Sequence, residues 1–195
     1  MIRACHVIWG VYGFWLPNDP RGSWSEFVAS WELARHGKAT RGQLKSVERA
    51  ELEKWRKRAV ESLRYPPVRL TGVQGHAVGV GFGNAVRKSK FTILACSILP
   101  EHVHLVVRRH RFSMEQVCIL LKGEATKQLH REGRHPMAAF ARNGKVPSLW
   151  QEGLWKVFLE DDEHIRAAIE YVEQNPVKER KRRQQWSFVR RIESV

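Results

Sequence analysis

Two histidines separated by a single residue mark the stretch of this sequence whose chemistry is easiest to recognise. Apolar and β-branched residues occupy 91–99 and again 102–107, and Pro100-Glu101 is the break between them, so two strands joined by a tight turn are predicted. Alternate side chains of a strand point to opposite faces, which places His102 and His104 on one face. Two adjacent imidazoles are suited to holding a metal ion. Such a pair is also common as two polar residues on a half-exposed face, so the pair alone leaves both interpretations open.

A second group of polar residues lies on the last predicted helix, at about 162–174. Its apolar residues recur at helical spacing and predict a buried stripe, and Tyr171 and Asn175 are neighbours one turn apart on the shoulder of that stripe. Pro176 disfavours helical geometry at the residue before it, so the helix is expected to end near Asn175. His164 shares the shoulder and is interpreted as a surface histidine. Taken alone, a tyrosine in this position is an ordinary residue of an amphipathic helix.

The composition favours a nucleic-acid partner. The 195 residues carry a formal net charge of +14 and include 8 tryptophans. A field of that sign attracts polyanions, of which nucleic acid is the first candidate and an anionic membrane the second, while plain solubility is the simplest alternative. Indole and guanidinium groups stack on unpaired bases, which favours a single strand. A hydrophobic content of 43% excludes wholesale disorder.

Cysteine usage and hydropathy predict a cytoplasmic protein. Cys5, Cys96 and Cys118 lie inside apolar runs without CxxC spacing, which is typical of buried free thiols in a reducing compartment. No stretch reaches the ~18 apolar residues of a membrane span, so no membrane association is expected.

The order of the predicted elements defines a fold class. Setting a charged insertion aside, the pattern is a βαββαβ core with a terminal helix. This is an α+β fold of the ferredoxin-like type, with helices packed on an antiparallel sheet. We expect a single domain over 1–195. Its parts are a central strand at 5–14, the partly helical insertion at about 17–70, a glycine-containing segment at 72–90 that permits a helix, the strand pair, a helix opened by a capping box at Ser113 and Gln116, a polar loop at 131–147, a strand at 154–159, the last helix, and a basic tail at about 178–195.

Several cationic and aromatic side chains are candidates for contacts with nucleic acid. Two lie in the turn-rich loop after the first strand, where they would clamp a phosphate and stack a base, although a surface loop pinned by a buried tryptophan is an equally good interpretation. Two more lie on the outward face of the middle helix, and four form the basic run of the tail. These residues are Arg21, Trp24, Lys122, Lys127, Arg180, Lys181, Arg182 and Arg183.

With these residues in place, the sequence resembles the single-tyrosine transposases of the HUH superfamily, in particular the REP-associated tyrosine transposases. Two departures from the family pattern concern DNA recognition: the insertion from about 25 to 70 is longer, and basic residues replace the expected Gly-Leu after Lys178. The resemblance is carried by His6-Val7, by the segment from Leu99 to Leu105 with its hydrophobic residue between the histidines, and by the segments 121–127, 149–155 and 171–178.

The resemblance implies a reaction, a cofactor and a partner. Members of this family break single-stranded DNA with a tyrosine hydroxyl, which forms a 5′-phosphotyrosine link and frees a 3′-OH, and rejoining is the reverse attack. Mapped here, Tyr171 is the nucleophile, and His102, His104 and Asn175 are ligands of Mg²⁺ or Mn²⁺. The implied partner is single-stranded DNA that forms a hairpin. The implied location is the bacterial cytoplasm in association with the nucleoid.

Two other functions stay open at this point. A non-catalytic protein that binds single-stranded nucleic acid has a similar sheet with basic and aromatic residues, and a metal-dependent nuclease that uses water would leave Tyr171 structural. Trapping a covalent protein–DNA adduct distinguishes both from the transposase. The sequence is compatible with a monomer or a homodimer.

Overall fold

The structure, a computed structural model, describes residues 1–16 and 49–190. Arg21, Trp24 and most of the predicted insertion lie outside the described residues. No helix among the described residues combines the length and the apolar character that crossing a membrane requires. The elements in chain order are β1 (Ala4–Gly10), α1 (Arg49–Glu61), α2 (Gly72–Ser89), β2 (Ile93–Ile98), β3 (His102–Arg108), α3 (Met114–Arg131), β4 (Trp155–Leu159) and α4 (Asp162–Lys178).

The described strands form an antiparallel sheet in the order β2-β3-β1-β4. Strands β1 and β3 lie at its centre, with Ile8 opposite His104 and His6 opposite Val106. This order places strands that are distant in sequence side by side, as in a ferredoxin-like split βαβ arrangement. The predicted α+β fold with a βαββαβ core is therefore confirmed.

Different helices cover the two faces of the sheet. Helices α2 and α3 pack on one face, where the main core includes the fully buried Trp9, Phe82 and Leu121. Helix α4 packs on the other face over a smaller apolar cluster that includes Val106 and Val172. Because strand side chains alternate, the odd-numbered residues of β3 enter the main core and the even-numbered ones face α4.

Helix α2 forms in spite of its glycines because its start is capped and its packing needs a small residue. The Thr71 hydroxyl accepts a hydrogen bond from the backbone N–H of Gln74, and the Gln74 side chain accepts one from the backbone N–H of Thr71. A Cβ at Gly81 would lie 2.4 Å from the Cα of Ala125 on α3. The residues that weaken the helical pattern in the sequence are thus the ones that let α2 and α3 approach closely.

Helix α4 extends further than the sequence predicts. It begins after Asp161, whose carboxylate accepts a hydrogen bond from the first turn at 2.8 Å, and it continues through Pro176 to Lys178. The prediction that it ends near Asn175 is therefore wrong. Proline removes a single backbone donor, and burial of Asn175 and Pro176 against the sheet offsets that loss.

The segment after α4 folds back onto α2 and the edge of the sheet. Trp186 and Phe188 stack with ring centroids 5.8 Å apart, and both pack against the main core. The Gln184 side chain accepts a hydrogen bond from the backbone N–H of Ile98 at 2.8 Å and donates one to its carbonyl at 2.7 Å. Residues 186–188 therefore return to the core.

Candidate active site beneath helix α4

Strand β3 presents its two histidines to the face of the sheet that α4 covers. The His104 side chain is buried, and His102 lies at the start of the strand with 14% of its side chain exposed. Their ring centroids are 4.9 Å apart. The strand alternation predicted from the sequence therefore brings both imidazoles to one side.

Helix α4 brings Tyr171 over these histidines. The tyrosine ring centroid lies 5.8 Å from that of His104 and 5.7 Å from that of His6, edge-on in both cases. Tyr171 is 44% exposed, so it contacts the histidine cluster on one side and faces solvent on the other. Lys178, two turns later, holds its ammonium 4.5 Å from the centre of the tyrosine ring. Asn175, one turn after Tyr171, is buried against the sheet.

His6 on β1 completes the cluster, although no role in the site was predicted for it from the sequence. Its Nε2 lies 3.2 Å from Nδ1 of His104, and the two rings stack at 5.4 Å between centroids. A sequence signal existed, since His6 stands in a strand of the same core. Its proximity to His104 depends on the pairing of β1 with β3, which the sequence of either strand does not specify.

Burial keeps the paired imidazoles neutral. It lowers the pKa of His6 from 6.5 to about 4. Burial also holds the pKa of His104 well below 6.5, and the neighbouring His102 and His6 push it in the same direction. A neutral imidazole offers a lone pair on one nitrogen, which is the form that binds a metal ion.

Further side chains surround His102 at the edge of the cluster. Phe14 stacks on its ring at 4.7 Å between centroids, and a Glu179 oxygen lies 3.9 Å from its Nε2. Glu179 is also paired with Lys181 at 2.9 Å. On the opposite side, the Trp155 ring meets His6 edge-on at 6.0 Å. The site is thus rimmed by aromatic rings and by the carboxylate and cations at the end of α4.

The donors that this site could offer to a divalent cation are imidazoles and a carboxamide. Within 1–16 and 49–190, no three His, Cys, Asp or Glu side chains form a cluster suited to a metal ion, so a site here would depend on a carboxamide as well as imidazoles. Asn175 Nδ2 is buried and has no hydrogen-bond partner among the described residues, and neither has the Oγ of Ser97, which pairs with His104 across the sheet. Rotating the Asn175 carboxamide by half a turn brings its Oδ1 oxygen to the position of Nδ2. Imidazoles with an amide oxygen are a donor set that fits Mg²⁺ or Mn²⁺.

Other predicted site residues lie outside this cluster. Lys122 donates hydrogen bonds to the carbonyls of Gln151 at 3.0 Å and Gly153 at 3.2 Å, and burial lowers its pKa. Lys127 is paired with Glu124 at 2.9 Å. Both ammonium groups are therefore engaged within the protein, and their contact with DNA stays a prediction.

The remaining predicted residues lie beyond the tyrosine or on its helix. Arg180, Arg182 and Arg183 are exposed in the tail after α4. His164 is on the surface of α4, with its Nδ1 2.7 Å from Asp161, as expected of a surface histidine.

Among solved structures, a REP-associated tyrosine transposase bound to a REP hairpin is 13% identical, with a TM-score of 0.49, over 91% of this chain and 68% of that chain. A candidate transposase from Deinococcus radiodurans R1 is also 13% identical, with a TM-score of 0.41, over 93% of this chain and 92% of that chain. No curated protein matches the sequence.

The family model described as "Transposase IS200 like" matches residues 72–175, which is more than half of the chain. The matched span includes both His102 and His104 on β3 and both Tyr171 and Asn175 on α4. It confirms the transposase resemblance found in the sequence. Since one family model accounts for the histidine strand and the tyrosine helix together, the chain belongs to the IS200-like transposase family.

Proposed function

We propose that this protein cleaves and rejoins single-stranded DNA through a covalent link to Tyr171. The observation that carries the proposal is the position of Tyr171, whose ring contacts His6 and His104 while 44% of the residue remains exposed. A nucleophile must be held beside polar groups and still be reachable by a polymer, and Tyr171 meets both conditions.

The proposed reaction is a transesterification. The Tyr171 oxygen loses its proton and attacks a backbone phosphorus, the bond from phosphorus to the 3′ oxygen breaks, and the released 3′ oxygen takes up a proton. The product is a 5′-phosphotyrosine, and attack by a 3′-OH reverses the step. One phosphodiester is exchanged for another, so no nucleotide cofactor is required. The Lys178 ammonium near the ring favours the negative charge that develops on the phenolic oxygen.

His102, His104 and Asn175 would hold a divalent cation in this site. When bound, Mg²⁺ or Mn²⁺ would polarise the phosphodiester and neutralise charge on its oxygens. His104 is able to act as a ligand through Nε2 only if its Nδ1 carries the proton, and His6 Nε2, 3.2 Å away, is placed to accept that hydrogen bond. His6 is thus proposed as a positioning residue for His104.

The basic tail is proposed to contact the DNA near the cleaved bond. Arg180 to Arg183 follow α4 directly and are mostly exposed. Each phosphate that they neutralise would release counterions and strengthen binding in a salt-dependent way.

The test is a covalent adduct. Purified protein with Mn²⁺ and labelled single strands should yield a protein–DNA species that survives denaturing electrophoresis. Tyr171→Phe keeps the ring and removes the nucleophile, so the adduct should vanish while binding persists. Tyr65→Phe is the matched control, because Tyr65 lies against Tyr12 and Phe140 rather than at the histidine cluster, and it should form the adduct normally.

Two results would contradict the proposal. Adduct of undiminished yield in Tyr171→Phe would assign the nucleophile to another residue. Strand cleavage without any adduct would favour the nuclease that uses water.

A further inference from the structure

A carboxylate at the end of α4 lies beside the histidines of β3. It belongs to Glu179, which caps the C-terminus of the helix. Tyr171, Asn175 and Glu179 follow one another at intervals of four residues, so they lie along one side of successive turns. The backbone N–H of Glu179 donates hydrogen bonds to the carbonyls of Asn175 at 3.3 Å and Pro176 at 3.1 Å. The backbone that carries this carboxylate is therefore fixed next to the histidine cluster.

The two oxygens of the Glu179 carboxylate have different neighbours. Oε1 lies 3.9 Å from Nε2 of His102, which is too long for a hydrogen bond. Oε2 accepts a hydrogen bond from Nζ of Lys181 at 2.9 Å. Lys181 thus orients the carboxylate, and the oxygen on the side of His102 approaches the imidazole without being bonded to it.

The separation of these two atoms fits a pair of ligands on one cation. With bonds of ~2.1 Å, two donor atoms on Mg²⁺ lie about 3.0 Å apart when they are adjacent and about 4.2 Å apart when they are opposite. The 3.9 Å between Nε2 of His102 and Oε1 of Glu179 falls within that interval. In His104 the Nδ1 meets His6, so Nε2 is the nitrogen available to the same cation.

The charge of the site also favours a carboxylate ligand. Burial keeps His104 neutral and the Asn175 carboxamide has no charge, whereas Mg²⁺ and Mn²⁺ bind carboxylate oxygens well. Among the described residues, the side chains of His102, His104 and Glu179 do not form a compact cluster as they stand. The Glu179 side chain is flexible and 35% exposed, so a cation is able to draw its carboxylate towards the imidazoles.

We propose that Glu179 is a further ligand of the divalent cation, in addition to His102, His104 and Asn175. This role rests on the proposed function, because it concerns the same site. It is particular to this chain, since Glu179 lies in the stretch after Lys178 in which the sequence departs from the family pattern. One carboxylate neutralises half of the charge of the cation, so the protein should bind the metal without DNA.

The first measurement is isothermal titration calorimetry of the full-length protein with Mn²⁺ in the absence of DNA. Glu179→Ala removes the carboxylate and should raise the Kd for Mn²⁺ at least tenfold. Glu173→Ala is the matched control, because Glu173 is an exposed residue of the same helix at about 160° from Tyr171 around its axis. It removes the same charge and should change the Kd less than twofold.

The second measurement is the relaxation rate of water protons at saturating Mn²⁺, which reports how many waters the bound ion holds. Glu179→Ala should hold one more water than the wild type, because water takes the place of the lost ligand, and Glu173→Ala should match the wild type. Circular dichroism of both variants shows that they are folded.

An ion pair between Glu179 and a protonated His102 leads to the opposite expectation. That pair would have to break before a cation binds, so Glu179→Ala would bind Mn²⁺ as tightly as the wild type or more tightly. This result would overturn the proposal, as would equal losses in the two variants, an unchanged number of waters, or no binding of millimolar Mn²⁺ by the wild type. The outcome is separate from the covalent reaction, because a wild-type protein that forms no DNA adduct would reject the proposed function and leave the Mn²⁺ measurements intact.

Discussion

Replacing Gly81 by alanine tests whether the contact between α2 and α3 depends on the absence of a side chain. A Cβ at this position would lie 2.4 Å from the Cα of Ala125, 2.7 Å from its nitrogen and 2.8 Å from the carbonyl oxygen of Glu124. All three are backbone atoms, and ordinary contact begins near 3.4 Å. The two helices would therefore have to separate by about 1 Å.

The expected cost combines two opposing effects. Overpacking a core costs about 1–3 kcal/mol, and rigid backbone on both sides puts Gly81→Ala at the upper end, near 3 kcal/mol. Alanine is better than glycine inside a helix by about 1 kcal/mol. The free energy of unfolding should thus fall by about 2 kcal/mol, which lowers Tm by about 4–8 °C for a chain of this size.

Urea unfolding followed by circular dichroism measures the difference, and Gly83→Ala in the same helix is the control. A Cβ at Gly83 would meet the Phe188 ring at 3.5 Å, which is an ordinary contact. That variant should keep the helix gain and be more stable by up to about 1 kcal/mol. If Gly81→Ala were as stable as wild type, the close approach of α2 and α3 would not require glycine and the reasoning would be wrong.

The remaining predictions concern metal, pH and salt. Asn175→Ala should weaken Mn²⁺ binding, measured by calorimetry, by about tenfold or more, and its cleavage activity should partly recover at high Mn²⁺. Superimposable metal-activation curves for wild type and Asn175→Ala would refute the ligand role. Burial lowers the pKa of His135 to about 4, so between pH 6.5 and about 4 the unfolded chain takes up a proton at this position before the folded protein does, and the free energy of unfolding falls as the pH drops through that window. The free energy of unfolding of His135→Asn should fall less over the same window; parallel pH profiles would count against this. Neutralising the basic run at 180–183 should lower the salt slope of single-strand binding by about 0.7 for each lost phosphate contact, whereas an unchanged slope would limit the tail to a role in solubility.

Much of the fold follows from local patterns in the sequence. The alternation around His102 and His104 identifies β3 and the face its histidines occupy, and the capping box at Ser113 and Gln116 is present at the start of α3. These features depend only on neighbouring residues, so a single sequence suffices to recognise them. The spacing of Tyr171 and Asn175 on one helix is of the same kind.

Features that depend on contacts between distant parts of the chain could not be predicted from local sequence patterns. The end of α4 was mispredicted because Pro176 was judged by its local preference, while burial against the sheet decides its conformation. His6 has a place in the site only because β1 pairs with β3 in a particular register. Lys122 fits an outward-facing position on its helix, yet its ammonium is held by carbonyls of a loop about thirty residues later.

The contacts of Gln184 have a consequence for how the protein behaves in solution. Strand β2 lies at the edge of the sheet, and the exposed backbone groups of an edge strand are a template for pairing with another chain. The Gln184 carboxamide forms hydrogen bonds with the backbone N–H and carbonyl of Ile98, as a neighbouring peptide group would. At the other end of β2, Val189 forms a β-bridge with Ile93, and the backbone N–H of Arg190 donates a hydrogen bond to the Ile93 carbonyl. The segment after α4 thus covers this edge and prevents it from pairing with a strand of another chain. The same segment therefore protects the protein from aggregation.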